Sequence, residues 1–298
     1  MSSPSTTSPD GSTPAAELLG VLKLDERAPD LFVGTTPTTE QQRIFGGQVA
    51  AQALTAASTT VAPERAVHSL HSYFLRPGDP HEEIRYQVER IREGRSFSTR
   101  RVLAHQTRRG EDVAIFALTA DFHAGERAVV EHSLPMPDVP GPDGLPGIAE
   151  VVAAHPESSA WMARMQQVVE QRFLADPFDP EPRMPPHTAA RGWFRVAGRL
   201  PAEEAVHAAA LTFVSDLTLL SAGLARIGGG WGGSTVGASL DHAVWFHRPV
   251  QADEWFLYET DSPAAASGRA LCLGQIWAAD GTHVATVAQE GLLRSLGG

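Results

Sequence analysis

Two stretches of the chain nearly repeat each other: His71-Ser72-Tyr73-Phe74-Leu75-Arg76-Pro77 and His242-Ala243-Val244-Trp245-Phe246-His247-Arg248-Pro249. Each runs from histidine through bulky aromatics into an Arg-Pro stop, and Arg76 and Arg248 stand 172 positions apart (248 − 76). In a chain of 298 residues that spacing exceeds half the length and predicts two tandem copies of one domain. A second pair of landmarks keeps nearly the same register: the turn dipeptides Arg109-Gly110 and Asp280-Gly281 lie 171 positions apart (281 − 110). A doubled domain has an internal pseudo-symmetric interface, a common place for ligand sites.

The repeat divides the chain into a disordered tail over 1–13, a first domain over 14–123, a linker over 124–190 and a second domain over 191–298. In the first copy, Pro14 to Leu24 predicts a short helix and Leu31 to Val33 a short strand. Gly46-Gly47 opens an Ala-rich helix over 48–60. Strand-like runs follow at 66–76, 83–93, 96–107 and 112–123. The linker carries Pro135, Pro137, Pro140, Pro142 and Pro146. One amphipathic helix is expected there, Ser158 to Phe173, with Trp161, Met165, Val168, Val169 and Phe173 at helical spacing. The second copy begins at Gly192–Val196, continues in a helix over 202–224, and ends in strands near 235–248, 254–261, 267–279 and 282–294. The unit is one helix followed by antiparallel strands.

A formal net charge of −11 argues against a nucleic-acid binder, because phosphate attraction needs a basic surface. Cys272, the single cysteine, excludes an intramolecular disulfide and reads as a buried structural thiol in Leu271-Cys272-Leu273. No apolar run approaches a membrane span, and residues 1–13 lack a signal pattern, so a cytoplasmic protein is expected. The twelve histidines show no ligand spacing, and no metal is expected.

Asp216 stands among leucine, valine and phenylalanine from Leu211 to Leu220; burying a carboxylate there is costly unless it is hydrogen-bonded or used. The pattern alone leaves a solvated stripe and a functional role evenly balanced. Gln289 lies on one face of the last strand with Ala285 and Val287, while Thr286 and Glu290 take the other. Ser239, Asp241 and His242 lie close together, but strand alternation puts Ser239 and Asp241 on one face and turns His242 away. With no Gly-x-Ser-x-Gly elbow, a serine-hydrolase triad is not expected. Gly228-Gly229-Gly230-Trp231-Gly232-Gly233 matches Gly-x-Gly-x-x-Gly in the wrong context for a dinucleotide and reads as a turn. Gly46-Gly47 at a helix start could present backbone N–H groups to an oxyanion, or could simply allow close packing.

At these residues the chain resembles the type II acyl-CoA thioesterase family (TesB-type), a double-hotdog family. The matching stretches are Phe45–Leu54, His68–Asp79, Arg95–Arg100, Ser215-Asp216-Leu217, Leu240-Asp241-His242 with Trp245–Pro249, and Gln289-Glu290-Gly291. They cover the chain from about 15 to 295. The resemblance implies an α+β fold, a tandem double hotdog in which two antiparallel sheets each wrap a central helix. It implies hydrolysis of fatty acyl-CoA to free fatty acid and CoA by activated water, with a catalytic trio at Asp216, Ser239 and Gln289. Only the second copy carries the trio, since Gln289 aligns with Leu118 in the first. Backbone N–H groups of Gly46 and Gly47 become oxyanion candidates, and Arg43, Arg76, Arg95 and Arg100 become candidates for the substrate phosphates. CoA belongs to the substrate, so no cofactor is expected. The expected partners are the acyl-CoA and further copies of the chain, as a homo-oligomer. Two other readings are a hotdog enoyl-CoA hydratase or dehydratase, and a non-catalytic acyl-CoA-binding or sensing module.

Overall fold

The computed structural model describes residues 13–36, 43–126, 129–155, 168–176, 190–226 and 235–295. The tail over 1–12, most of the linker helix expected from Ser158, and the Gly228–Gly233 run lie outside the described residues. The elements in chain order are α1 (Pro14–Leu22), β1 (Asp25–Ala28), β2 (Leu31–Gly34), α2 (Gly46–Thr59), β3 (Ala66–Phe74), β4 (Ile84–Glu93), β5 (Phe97–Arg108) and β6 (Glu111–His123). Then come α3 (Ile148–Ala154), β7 (Val169–Phe173), β8 (Ala190–Val196), α4 (Glu204–Ser215), α5 (Ser221–Arg226), β9 (Thr235–Ser239), β10 (Asp241–Phe246), β11 (Phe256–Ala266), β12 (Arg269–Ala278) and β13 (His283–Ser295).

The strands form one sheet in the order β1-β2-β4-β5-β6-β3-β10-β13-β12-β11-β8-β7, with β9 also pairing β13. The order is nearly palindromic: β3-β6-β5-β4-β2 in the first half answers β10-β13-β12-β11-β8 in the second. The duplicated aromatic strands themselves join the halves, β3 pairing antiparallel with β10. His71 faces Ala243, which is its own counterpart 172 residues on, and Ser69–Trp245 and Tyr73–Asp241 fall symmetrically to either side. The pseudo-two-fold axis therefore passes through the His71–Ala243 pair. The α+β double hotdog is the observed fold.

Each half encloses one helix, and composition explains why the sheet can close around it. In α2, Ala50, Ala51, Ala53, Ala56 and Ala57 are buried, and alanine keeps the helix thin on every side. The two glutamines of that helix are also inside. Gln52 donates to Val21 O (2.7 Å) and Thr35 O (3.1 Å) and accepts from the Tyr86 hydroxyl (2.6 Å), so its burial is fully compensated. Helices α2 and α4 pack on each other, Phe45 meeting Phe213 edge-on at 5.0 Å between ring centroids. One continuous apolar core runs through both halves. Arg109 and Gly110 turn where expected, with φ of 50° and 83°, and Gly281 has φ 92° at the second expected turn. Ser267 and Gly268, where a strand was expected to begin, form a further turn with φ of 52° and 73°, the left-handed pair that a two-residue turn between twisted strands requires.

Three expectations need correction. The end of the supposed linker helix, Val169–Phe173, is strand β7, paired with β8 and buried at alternate residues. Val169 and Phe173 are four apart, a spacing that satisfies both helical and strand periodicity. Among the described residues of the linker the helix is α3, and the Pro-rich segment before it lies across the outer face of the second half. Trp277 Nε1 donates to Leu134 O (3.1 Å) and Trp193 Nε1 to Pro140 O (2.8 Å). The helix expected over 202–224 is interrupted, stopping at Ser215 and resuming at Ser221. The strand expected over 235–248 is split at Leu240 into β9 and β10. The last two corrections build the site.

Candidate active site

Asp216 is not inside a helix; it is the residue on which α4 ends, with φ −83° and ψ −13°. The carbonyl end of a helix repels a carboxylate, so a second helix must supply the compensation. That helix is α2, whose first turn comes from the other half. The Gly47 backbone N–H donates to the Asp216 carboxylate. A Cβ on Gly46 would stand 2.8 Å from Asp216 Oδ2 and 2.8 Å from the Phe74 ring, which leaves room at that position for glycine alone. The positive end of α2 thus meets the carboxylate at the seam between the copies. Behind Asp216, the Tyr258 hydroxyl donates to Ser215 O at 2.9 Å and satisfies a terminal carbonyl of α4. Tyr258 lies 172 residues after Tyr86, a repeat relation visible in the sequence but not singled out there.

The expected trio comes together. Gln289 Nε2 donates to Asp216 Oδ1 (2.5 Å) and to Ser239 Oγ (2.8 Å), and the Ser239 hydroxyl donates to Asp216. Gln289 is fully buried on β13 with Ala285 and Val287, as alternation predicted. Cys272, its cross-strand neighbour on β12, is buried as expected, and burial raises its thiol pKa. The Asp216 side chain is only 4 % exposed. Desolvation pushes its pKa up to about 7, against the lowering effects of Gln289, the Gly47 N–H and Ser239. A carboxyl poised near neutrality can take up and return a proton at physiological pH.

His242 does not turn away. Its ring is fully buried, Nε2 lies 2.9 Å from Ser215 Oγ, and Nδ1 lies 4.0 Å from Asp216 Oδ1. A one-residue bulge is the cause. Ser239 pairs with Gly291 and Ala243 with Ala288, so Leu240, Asp241 and His242 oppose only Gln289 and Glu290. The extra residue reverses the alternation, bringing Ser239 and His242 to the same side. Asp241 instead accepts from the Glu290 backbone N–H at 2.6 Å. Strand alternation misassigned His242; the long 235–248 run was the one sign of a break.

The four candidate arginines separate. Arg43 and Arg76 are exposed at the Gly46 end of α2, where Ile44 N bonds to Gly78 O (3.2 Å). Arg95 and Arg100 belong to the other end, about 21 Å away along a 14-residue helix. Arg100 is wholly buried and its donors are taken: Nε by Thr60 Oγ1, Nη1 by Arg92 O and Thr99 O, Nη2 by Thr60 O and Glu93 Oε2. No N–H is left for a phosphate, so Arg100 is a structural clasp between β5 and the end of α2, not a substrate-binding residue. Arg100→Met is expected to cost about 3 kcal/mol of stability through the stranded carbonyls, while leaving KM unchanged. Denaturant unfolding together with steady-state kinetics checks both.

Among the described residues, no group of His, Cys, Asp and Glu could hold a metal ion, and no helix is long and apolar enough to cross a membrane. The family model of the acyl-CoA thioesterase N-terminal domain matches residues 35–123, and that of the C-terminal domain matches 136–293. The chain is 34 % identical to Acyl-coenzyme A thioesterase 8 of Homo sapiens, over 96 % of this chain and 91 % of that protein. It is also 34 % identical to Acyl-CoA thioesterase 2 of Haemophilus influenzae, over 93 % and 96 % of the respective chains. The crystal structure of an Acyl-CoA thioesterase II TesB2 from Mycobacterium marinum superposes with a TM-score of 0.77 at 39 % identity, covering 93 % of this chain and 98 % of that one. A fold carrying both family domains in order, at this identity over nearly the whole chain, belongs to the type II acyl-CoA thioesterase family, and the protein is an acyl-CoA thioester hydrolase.

Proposed function

We propose that the chain hydrolyses fatty acyl-CoA to free fatty acid and CoA, with water activated by Asp216, whose hydrogen bonds Gln289 and Ser239 complete. The observation that carries this reading is the closed Asp216–Gln289–Ser239 arrangement at the first turn of α2, around a carboxyl with a pKa of about 7. In the reaction, Asp216 takes one proton from water as the oxygen bonds to the thioester carbon. The carbon–sulfur bond then breaks, and the departing thiolate recovers the proton from Asp216. A thiolate leaves readily, so neither a metal nor a covalent enzyme intermediate is needed, and no cofactor enters the scheme.

Gly47 has its N–H directed at Asp216, so we assign it to holding the base, and Gly46 is the better candidate for the developing oxyanion. Arg43 and Arg76, at the same end of α2, are the arginines we assign to the CoA phosphates. Incubation with acyl-CoA esters of graded chain length and a thiol reagent tests the reading. Stoichiometric CoA release with long or medium chains is expected. Interconversion of enoyl- and hydroxyacyl-CoA, or binding without turnover, would refute it. We also infer a homo-oligomer, because Tyr73, Trp245, Leu271 and Leu273 leave apolar surface exposed on strands β3, β10 and β12. Light scattering at the monomer mass of 31.9 kDa would contradict this.

A further inference from the structure

We propose that His242 seats the attacking water jointly with Asp216, His242 Nδ1 and Asp216 Oδ1 each accepting one hydrogen bond from it. This rests on the reading of Asp216 as the base. The argument begins with Ser215. Its hydroxyl donates to Thr212 O (3.0 Å), so Oγ can only accept from the imidazole nitrogen 2.9 Å away. The proton of the neutral ring is therefore on Nε2, and Nδ1 presents a lone pair.

That lone pair is buried without a hydrogen-bond partner among the described residues, and it faces Asp216 Oδ1 at 4.0 Å. Two acceptors cannot bond to each other while Asp216 is ionised; a donor with two hydrogens can join them. A water at about 2.8 Å from each atom would subtend an angle of about 90° across that gap, close to its own bond angle. Held by both hydrogens, it turns its lone pairs outward for attack on the thioester carbon.

His242 is held at its ring by the second copy and at its backbone by the first. Ser215 orients the far side of the ring, and the Ser72 hydroxyl, from the first copy, donates to His242 O at 2.7 Å. Asp216 is the member of the pair that receives the proton. Burial lowers the His242 pKa to about 4, whereas Asp216 is held near 7. His242 aligns the water and Asp216 deprotonates it.

Kinetics of His242→Phe, Asp216→Asn and the double variant test this, with thermal melting to confirm folding. His242→Phe is expected to lower kcat about 10²-fold with little change in KM, since misplacement of a reacting group by about 1 Å has that effect. In the Asp216→Asn background it should add no further loss, because both groups act on one water. Near-normal kcat for folded His242→Phe, or losses that multiply in the double variant, would overturn the proposal. If His242→Phe does not fold, the ¹⁵N imidazole spectrum of the unmodified protein decides: Nε2–H is expected, and Nδ1–H sinks the idea. Substantial turnover by Asp216→Asn would instead refute the trio reading, a separate outcome from either of these.

Discussion

Asp216→Asn is expected to lower kcat by about 10²–10⁴-fold, the usual worth of a positioned base, in a protein that still folds. The wild-type pH profile should show the same group: kcat/KM rises through pH of about 7 as Asp216 ionises, and the variant lacks that limb. Stability should move the opposite way. The folded pKa of about 7 lies above the value near 3.9 for an unfolded aspartate, so between these the native state binds the extra proton. Its stabilising contribution is present at low pH and is lost as pH rises through 7. At about 1.4 kcal/mol per unit, the wild type should lose about 4 kcal/mol between pH 4 and 8 that the asparagine variant does not lose. Urea unfolding of both proteins at the two pH values measures this. Parallel stability curves would show that Asp216 titrates normally.

Gly47→Ala should be nearly as damaging, through the backbone. A Cβ there would lie 2.5 Å from the Phe45 ring and 2.6 Å from Phe213 O, a backbone atom of α4 that cannot swing aside. The two helices would have to separate, costing about 1–3 kcal/mol as overpacking does. The same movement withdraws the Gly47 N–H from Asp216, and a displacement of about 1 Å at a reacting group lowers the rate about 10²-fold. The expected variant is folded, melts earlier and is slow at every pH. Full activity would show that the junction of α2 and α4 adapts without disturbing the carboxylate.

Much of the architecture was legible because it is written in local patterns. The 172-residue repeat, the alanines of α2 and the turn pairs Arg109-Gly110 and Asp280-Gly281 each report a short-range requirement. The alternation around Gln289 likewise placed its side chain inside. Periodicity failed where one residue changes the answer. Val169 and Phe173 fit two periods at once and belong to a strand. The bulge at Leu240–His242 reversed the facing of His242, and nothing in the run of residues marks the insertion except its length. Arg100 in the motif Arg95–Arg100 gave no sign of whether its charge met a phosphate or protein carbonyls; burial decided it.

By itself the sequence determined the duplication and the helix-and-sheet unit, because these depend on which residues neighbour one another along the chain. It misplaced the first-copy counterpart of Gln289, which the strand registers put at Ala120 rather than Leu118. The tertiary structure alone decided where α4 stops, that the first turn of α2 reaches Asp216 from the other copy, and that His242 faces it. Those facts depend on register and on helix ends meeting across more than 150 residues of chain, where a single inserted residue moves a side chain to the opposite face.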